Sequence, residues 1–256
     1  MRDFFAYFFG EGTQVEFKLF TLAHFMPILV MIGIILLIRK LAPKLQSWEH
    51  EPMIRYVLAF ILICSEMAYY WRLVGIPSLG PNPLENLPIS VCGWAVVFAS
   101  FMVIGKNQKL FDIIYFWLLC ASVFALLTPT PLTYAGPTRF RYYQFWTEHT
   151  AGYIAVFYMI FVHKMRPTFR SAVRSWVALL ILAAFAYWVN QMLPGANYLY
   201  MARPEAAPSV LDILPPNFAL RLSIMALVIT ALYFVAYLPW LLMDRKAAKK
   251  ETVEAA

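Results

Sequence analysis

Charged residues are scarce in this sequence: they make up 14% of its 256 residues, while apolar residues make up 62%. Soluble domains usually contain about 25% charged and about 45–50% apolar residues. The shortage of charge predicts that lipid surrounds most of the chain. It leaves no room for a sizeable soluble domain, because about seven spans of roughly 20 residues use most of the length.

Several patterns that would indicate other classes of protein are also missing. The three cysteines, Cys64, Cys92 and Cys120, all lie in apolar segments, and their odd number argues against a disulfide framework. No glycine-rich phosphate loop is present. The four histidines lack the close spacing of metal ligands. We therefore expect neither a metal nor a cofactor.

The ends of the chain and its net charge fit this class. The first 18 residues contain Asp3, Glu11 and Glu16, so they lack the apolar stretch of a signal peptide, and we expect the first span to act as the insertion signal. The net charge of +7 lies mainly between apolar runs, which indicates attraction to membrane lipid and no nucleic acid partner. The segment 218–243 contains no lysine, which excludes a retinal pigment.

Long apolar runs follow one another along the chain, and they predict an all-α, polytopic membrane protein with a bundle of seven transmembrane helices. The predicted spans are residues 19–41, 53–74, 87–105, 110–129, 147–165, 175–193 and 218–243. Residues 1–243 form one membrane domain. We expect the charged tail of residues 244–256 to be disordered.

Lysine and arginine are unevenly divided between the two sides of this predicted bundle. One side holds Arg39, Lys40, Lys44, Arg55, Lys106, Lys109, Lys164, Arg166, Arg170, Arg174, Arg245, Lys246, Lys249 and Lys250. The other side holds Arg2, Lys18, Arg72, Arg139, Arg141 and Arg203. Cytoplasmic loops carry the excess of basic residues. The sequence therefore predicts an N-terminus outside, a C-terminus in the cytoplasm and a multi-pass location in a bacterial cell membrane.

Polar side chains lie near the predicted outer end of every span, whereas the inner halves contain almost none apart from flanking bases. Intramembrane polar groups usually face a bundle interior or a cavity, so we expect a water-accessible cavity that opens to the outside. Its candidate binding residues are Glu66, Arg72, Ser90, Thr128, Glu148, Asn190, Asn197, Asp212 and Arg221.

The carboxyl group of Glu66 needs either a proton or a partner in the membrane. Six residues separate it from Arg72, which places the two on different faces of a helix. We expect a donor on another helix, such as His149, Arg221 or Asn190. A protonated Glu66 that donates a hydrogen bond is the alternative.

The same outer level contains a candidate set of catalytic residues. Cys92 could act as a thiolate nucleophile, with His149 or His24 as its base. Glu148 is adjacent to His149, but neighbouring helix residues point about 100° apart, so we expect no direct pair. A lone cysteine at a helix start is also a common packing residue, which leaves a purely structural role open.

Several stretches, in matching order along nearly the whole chain, resemble the YwaF-type bacterial membrane proteins, which are related to the eukaryotic transmembrane protein 164 family. They are His24, LPISVCGW at 87–94, YFWLLCASVFALLTP at 115–129, FWTEH ending at His149, MRP at 165–167 and VNQMLPGANYLYMARP at 189–204. The resemblance implies a compact seven-helix protein. For the eukaryotic branch it implies acyl transfer between lipids through a cysteine nucleophile.

This chain departs from the family pattern at one position. The bacterial pattern has a histidine two residues after Pro88, where this chain has Ser90, and the eukaryotic cysteine–histidine pair falls at Ile89 and Ser90. Cys92 is the nearby thiol. A lipid-acting acyltransferase with a lipid or amphiphilic substrate, a transporter or binding protein for a small polar or amphiphilic solute, and a receptor-like or structural protein therefore stay open. The sequence leaves the oligomeric state open as well.

Overall fold

The computed structural model describes residues 2–10, 17–129, 135–204 and 209–254. The chain is 78% helix, and no β-strand occurs in these ranges. The α-helices there are α1 (Arg2–Phe9), α2 (Leu22–Ser47), α3 (Glu51–Gly75), α4 (Val91–Gly105), α5 (Gln108–Phe116), α6 (Ser122–Leu127), α7 (Phe140–Phe161), α8 (Phe169–Met192) and α9 (Phe218–Glu254). A π-helical turn, Trp117–Ala121, joins α5 to α6. Short 3-10 turns occupy Pro77–Leu79, Tyr198–Tyr200 and Val210–Ile213.

Five helical segments of the described chain are long and apolar enough to cross a bilayer: α2, α3, the run Gln108–Leu127, α8 and α9. Their apolar side chains are widely exposed, and only 11% of the most apolar window is buried in α2 and again in α9. Large apolar surfaces of this kind cannot face water in a stable monomer. The structure therefore supports the prediction of an all-helical membrane protein.

The two remaining long helices, α4 and α7, do not meet those criteria. Helix α4 is apolar but has 15 residues, about 22 Å at 1.5 Å per residue. Helix α7 has 22 residues, and its first half carries Arg141, Gln144, Glu148 and His149. Both helices are central. Helix α7 contacts α2, α3 and α4, and α4 contacts α3 and α5, so their surroundings are mainly protein.

Several helix boundaries differ from the predicted spans. Helix α7 begins at Phe140 instead of residue 147, because its polar first turns are buried against other helices rather than placed in a loop. Helix α8 begins at Phe169 instead of residue 175. Its start is fixed by Thr168, whose hydroxyl accepts a hydrogen bond from the Ser171 amide at 3.1 Å while the Ser171 hydroxyl accepts one from the Thr168 amide.

The two ends of the chain contain more helix than the sequence indicated. The prediction of a disordered tail was wrong for the described residues, because α9 continues from the apolar segment to Glu254. Alanine, lysine and glutamate are strong helix formers, and adding residues to an existing helix avoids the cost of nucleation. The short helix α1 was not predicted.

Small residues bring the central helices together. Ala95 and Ala99 of α4 are fully buried, and small side chains at such positions let helices approach closely. An added Cβ at Gly152 of α7 would lie 2.9 Å from the Leu118 side chain of the π turn. This close fit holds α7 against α4 and the π turn, which sets the level of the polar residues described next.

Candidate functional site

A layer of polar side chains lies where α3, α4, α6 and α7 meet. Contacts join Glu66 to Glu148 and Cys92 to Ser122 and Tyr153. We call these residues, together with His149, which follows Glu148 on α7, the thiol–acid layer. Gly93 makes this crossing possible, because an added Cβ there would lie 2.5 Å from Oε1 of Glu66. The carboxyl group of Glu66 therefore passes directly over the backbone of α4, next to Cys92.

The acidic half of the layer is a pair of carboxyl groups from two helices. Glu66 of α3 interacts with Glu148 of α7 and with the hydroxyl of Tyr70, and both glutamates are 6% exposed. Two carboxyl groups can share a hydrogen bond only if at least one of them holds a proton. The cross-helix partner of Glu66 is therefore another carboxyl group, that of Glu148, and not one of the expected donors His149, Arg221 and Asn190. The pair needs a proton, which agrees with the alternative expectation of a protonated Glu66.

An amide and an arginine hold Glu148 in place. Nε2 of Gln144 donates to Oε2 of Glu148 at 2.8 Å and to the Ser65 carbonyl oxygen at 2.7 Å. Arg141 in turn donates to Oε1 of Gln144 and lies over the Tyr69 ring, 4.4 Å from its centroid. This network ties α7 to α3 and places one positive charge beside the carboxyl pair.

The thiol half of the layer is centred on Cys92, in the first turn of α4. Its Sγ lies 3.2 Å from Oγ of Ser122, and the side chain is half-buried. The exposed Ser90 caps this helix by accepting a hydrogen bond from the Gly93 amide at 3.0 Å. The positive end of the α4 dipole therefore lies near the thiol, where it stabilises a developing negative charge. Cys120 is buried in the core.

His149 has one ring nitrogen engaged by the protein. Its Nδ1 lies 2.9 Å from the Phe145 carbonyl oxygen, and a carbonyl only accepts, so Nδ1 carries the proton. The ring stacks on Phe145 at 4.1 Å between centroids. Within the described ranges Nε2 has no hydrogen-bond partner, and no hydrogen bond joins it to Cys92. As predicted, Glu148 and His149 do not pair directly.

A second free polar atom lies one turn along α7. The hydroxyl of Tyr153 is buried without a hydrogen-bond partner in the described chain, and it is close enough to Cys92 and Cys120 to interact with both electrostatically. An unsatisfied donor at such a depth is rare. It is available to an oxygen atom of a ligand bound near Cys92.

His24 does not join this layer. Its Nδ1 accepts a hydrogen bond from the Phe20 amide at 3.1 Å, so Nε2 carries the proton and donates to the Leu126 carbonyl oxygen at 2.8 Å. Both ring nitrogens are thus occupied, and the residue is 2% exposed. The contact fastens the start of α2 to the end of α6, which leaves His24 no free nitrogen to act as a base.

Five other predicted residues hold together the loops at this end of the bundle. Asn190 pairs with the backbone of Tyr198, through bonds of 2.8 Å and 3.1 Å. Arg221 is fully buried and donates to the Tyr200 carbonyl oxygen at 2.9 Å. Asn197, Asp212 and Thr128 likewise bond to backbone groups of the 197–203 and 209–213 segments. The structure does not bring these residues into the thiol–acid layer.

Tyr198 also holds these loops together. Its hydroxyl donates to the Pro83 carbonyl oxygen at 2.7 Å and accepts a hydrogen bond from the Leu87 amide at 2.9 Å. Burial raises the pKa of this phenol above its usual value, so the hydroxyl keeps the proton that it donates. The loop before α9 is thereby attached to the loop before α4.

The structure contains a buried polar cluster at the opposite end of the bundle, which contradicts the expectation that the inner halves lack polar groups. Oε1 of Glu51 accepts hydrogen bonds from Tyr158 at 2.7 Å and from His163 at 2.8 Å. Arg55 forms an ion pair with Glu51 at 3.0 Å and caps the end of α4 by donating to the Val103 carbonyl oxygen at 2.9 Å. The spacing of Glu51 and Arg55 was the sequence signal for this pair.

A second inner cluster joins α5 to α8. Asp112 is 3% exposed and accepts hydrogen bonds from Ser171 at 2.7 Å and from Gln108 at 2.8 Å. Arg174 forms an ion pair with it at 2.6 Å. An acid inside the apolar run of the fourth span was the signal that could have identified this cluster. Among the described residues no group of histidine, cysteine and acidic side chains could hold a metal ion.

Arg72 lies apart from the layer, at a cavity of about 620 Å³ between α1, α3 and the start of α7. Its apolar walls include Phe9 and Phe140. Of the residues predicted to line one outer pocket, Arg72 is the one that lines this cavity.

A protein-family model matches this chain, whereas no solved structure does. An uncharacterized protein of Treponema pallidum (strain Nichols) is 29% identical over 156 residues, which cover 61% of this chain and 63% of that protein. The chain thus matches less than two thirds of the relative's length. The model of the TMEM164 family matches residues 19–237. This membrane protein therefore belongs to the TMEM164 family.

Proposed function

We propose that all seven long helical segments cross a bacterial cell membrane, with the N-terminus outside and the C-terminus in the cytoplasm. Contacts at one end of the bundle support this topology. Arg55 bonds to the end of α4, Gln46 donates to the Phe161 carbonyl oxygen, and Gln108 donates to the Arg166 carbonyl oxygen. The loops that carry most of the basic residues therefore share one end, as cytoplasmic loops do.

Cysteine labelling from one side of the membrane tests this orientation. We expect Pro137→Cys to react with an impermeant maleimide on intact cells and Lys249→Cys to react only after the cells are opened. Labelling of both positions from the same side would refute the topology.

Within that topology, we propose that the protein is an acyltransferase acting on membrane lipids, with Cys92 as the nucleophile and His149 as the base. The observation that carries this proposal is the composition of the thiol–acid layer. It combines a half-buried thiol near a helix N-terminus, an imidazole with a free nitrogen and the unsatisfied hydroxyl of Tyr153. These are the groups that thiol-based acyl transfer requires.

The chemistry would proceed in two balanced steps. Nε2 of His149 accepts the proton of Cys92, and the thiolate attacks an ester carbonyl of the donor lipid. The C–S bond forms, the C–O bond breaks, and His149 returns the proton to the departing alkoxide. The hydroxyl of an acceptor lipid then gives its proton to His149 and attacks the thioester. The new C–O bond forms, the C–S bond breaks, and His149 returns the proton to the departing thiolate, which restores the thiol.

The surroundings of Cys92 would assist this reaction. The hydroxyl of Tyr153 would donate to the carbonyl oxygen as negative charge develops on it. The thiol of Cys92 must turn from Ser122, its present partner, towards His149. The apolar surroundings would exclude water and so disfavour hydrolysis of the thioester.

The direct test is detection of the acyl-enzyme. The purified protein is incubated in vesicles of phosphatidylcholine and a lysophospholipid, and its intact mass is measured before and after hydroxylamine treatment. We expect one acyl group on the wild type and on Cys64→Ala, and none on Cys92→Ala. His149→Gln should lower transfer at least about 100-fold. An adduct that persists in Cys92→Ala, or no adduct and no transfer in the wild type, would refute the proposal.

Movement of a small amphiphilic solute is the second candidate function, and the Glu66–Glu148 pair favours it. Paired carboxyl groups within membrane spans are typical of proton relays in transporters. Transfer of a fluorescent lysophospholipid between vesicle leaflets distinguishes the two functions. Transport predicts a loss of movement in Glu148→Gln but not in Cys92→Ala, and acyl transfer predicts sensitivity to Cys92→Ala in the acyl-enzyme assay.

A further inference from the structure

The short helix α1 is fastened to the bundle by two arginines at its C-terminal end. Nε of Arg72 donates to the Phe9 carbonyl oxygen at 2.5 Å, and Arg139 donates to the Tyr7 carbonyl oxygen while its guanidinium lies over the Tyr7 ring. Cations at a helix C-terminus bond to its free carbonyl groups and interact favourably with its dipole. Helix α1 is therefore held over the outer ends of α3 and α7.

A cavity of about 620 Å³ lies beneath α1. Phe5 and Phe9 of α1, Ala68 and Trp71 of α3, and Phe140 of α7 form its apolar walls. Phe5 and Trp71 are themselves half or more exposed. The cavity thus opens to the surroundings of the bundle through an apolar edge, which suits a hydrocarbon chain.

The polar end of this cavity is the guanidinium of Arg72. Its Nε is bonded to α1, whereas its two terminal nitrogens have no hydrogen-bond partner among the described residues. Gly10, at φ 110°, leaves space for this head group, because an added Cβ there would overlap it. Two parallel N–H donors on one guanidinium match the geometry of a phosphate or carboxylate.

The electrostatic surroundings favour an anion at this point. Arg139 and Arg141 lie close enough to Arg72 to add positive potential. No aspartate or glutamate forms an ion pair with Arg72 in the part of the chain that the structure describes. An anion bound there would supply a counter-charge to the guanidinium of Arg72 at the end of this apolar cavity.

We propose that this cavity binds an anionic phospholipid, with the lipid phosphate on Arg72 and an acyl chain along Phe5, Phe9 and Trp71. The site is separate from the thiol–acid layer. Ala68 and Glu66 are two residues apart on α3, so their side chains point about 160° apart, on nearly opposite faces of the helix. Binding here consequently does not depend on the acyl-transfer proposal.

Native mass spectrometry of the full chain in an uncharged detergent tests the site, with phosphatidylglycerol as the probe. Arg72→Gln removes the charge, and Ala68→Phe fills the cavity while leaving the charge in place. We expect each variant to retain the lipid at least about ten-fold more weakly than the wild type. Arg72→Gln loses the charged hydrogen-bond donor to the phosphate, and the ring added by Ala68→Phe occupies the volume of the acyl chain. Lys18→Gln is the matched control. Lys18 is exposed, and its substitution removes the same charge outside the cavity.

Each outcome decides the question. Weaker retention by Arg72→Gln and Ala68→Phe, with unchanged retention by Lys18→Gln, supports the site. Equal retention by all three variants overturns it, as does full displacement of the lipid by inorganic phosphate alone, which would show a simple anion site. The acyl-enzyme on Cys92 is expected to form in Ala68→Phe, so loss of lipid binding is distinguishable from loss of the proposed activity.

Discussion

Replacement of Gly93 by alanine is the sharpest test of how α3 crosses α4. The added Cβ would lie 2.5 Å from Oε1 and 3.0 Å from Cδ of Glu66, and 2.8 Å from Oγ of Ser90. The distances to Oε1 and Oγ are shorter than real Cβ contacts, and the distance to Cδ is at the tight limit. We therefore expect Glu66 to move and its interaction with Glu148 to weaken. Overpacking of a tight core typically costs about 1–3 kcal/mol.

We expect Gly93→Ala to lower the melting temperature in a mild detergent by about 4–8 °C, from a cost of about 2 kcal/mol at about 2–4 °C per kcal/mol. Gly33→Ala is the matched control, because a Cβ at Gly33 meets nothing within 4 Å. It should melt at the same temperature or slightly higher, since alanine favours helix over glycine by about 1 kcal/mol.

A double-mutant cycle with Glu66→Ala assigns the cause. Truncation of Glu66 removes two of the three close contacts, so most of the cost of Gly93→Ala should vanish in that background. Unfolding followed by intrinsic tryptophan fluorescence measures all four proteins. An equal cost in both backgrounds, or a Gly93→Ala variant as stable as the wild type, would refute the crossing geometry.

Two further variants test buried hydrogen-bond networks by thermal melting in the same detergent. Glu51→Gln should destabilise the protein by about 3 kcal/mol, because Arg55 then loses its buried counter-charge. Its control is Glu49→Gln, at an exposed position, which should change stability by less than about 0.5 kcal/mol. Asn190→Ala should cost about 1–3 kcal/mol by leaving backbone groups of the loop unpaired, while Gln191→Ala, at an exposed position, should be neutral. Equal effects within either pair would contradict the assigned contacts.

The sequence did not predict which groups the polar side chains near the span ends contact. Asn190 was correctly singled out as a polar residue inside an apolar run, but its role was assigned to a cavity. An asparagine side chain carries one donor and one acceptor group that match a peptide backbone. Because the chain turns back over the end of α8, the backbone of Tyr198 meets that amide, and no local pattern predicts such a return.

The sequence by itself determined that lipid surrounds most of the chain and that the fold is helical. Apolar runs longer than any soluble strand or loop predict membrane helices, because backbone polar groups in lipid must be paired within the segment. It also identified Glu66, Cys92, Glu148 and His149 as polar residues at one depth, since depth along a helix follows directly from position in the chain.

Only the tertiary structure decided which of those residues meet. A residue's direction around a helix has meaning only when its neighbours are known, and here Gly93 and Gly152 set the neighbours by allowing close crossings. Glu66 therefore interacts with Glu148, and His24 bonds to the end of α6. The spacing of Glu51 and Arg55 indicated an ion pair, but the sequence could not show that Tyr158 and His163 join it. An acid beside a predicted span end looks the same in the sequence whether water or other helices surround it.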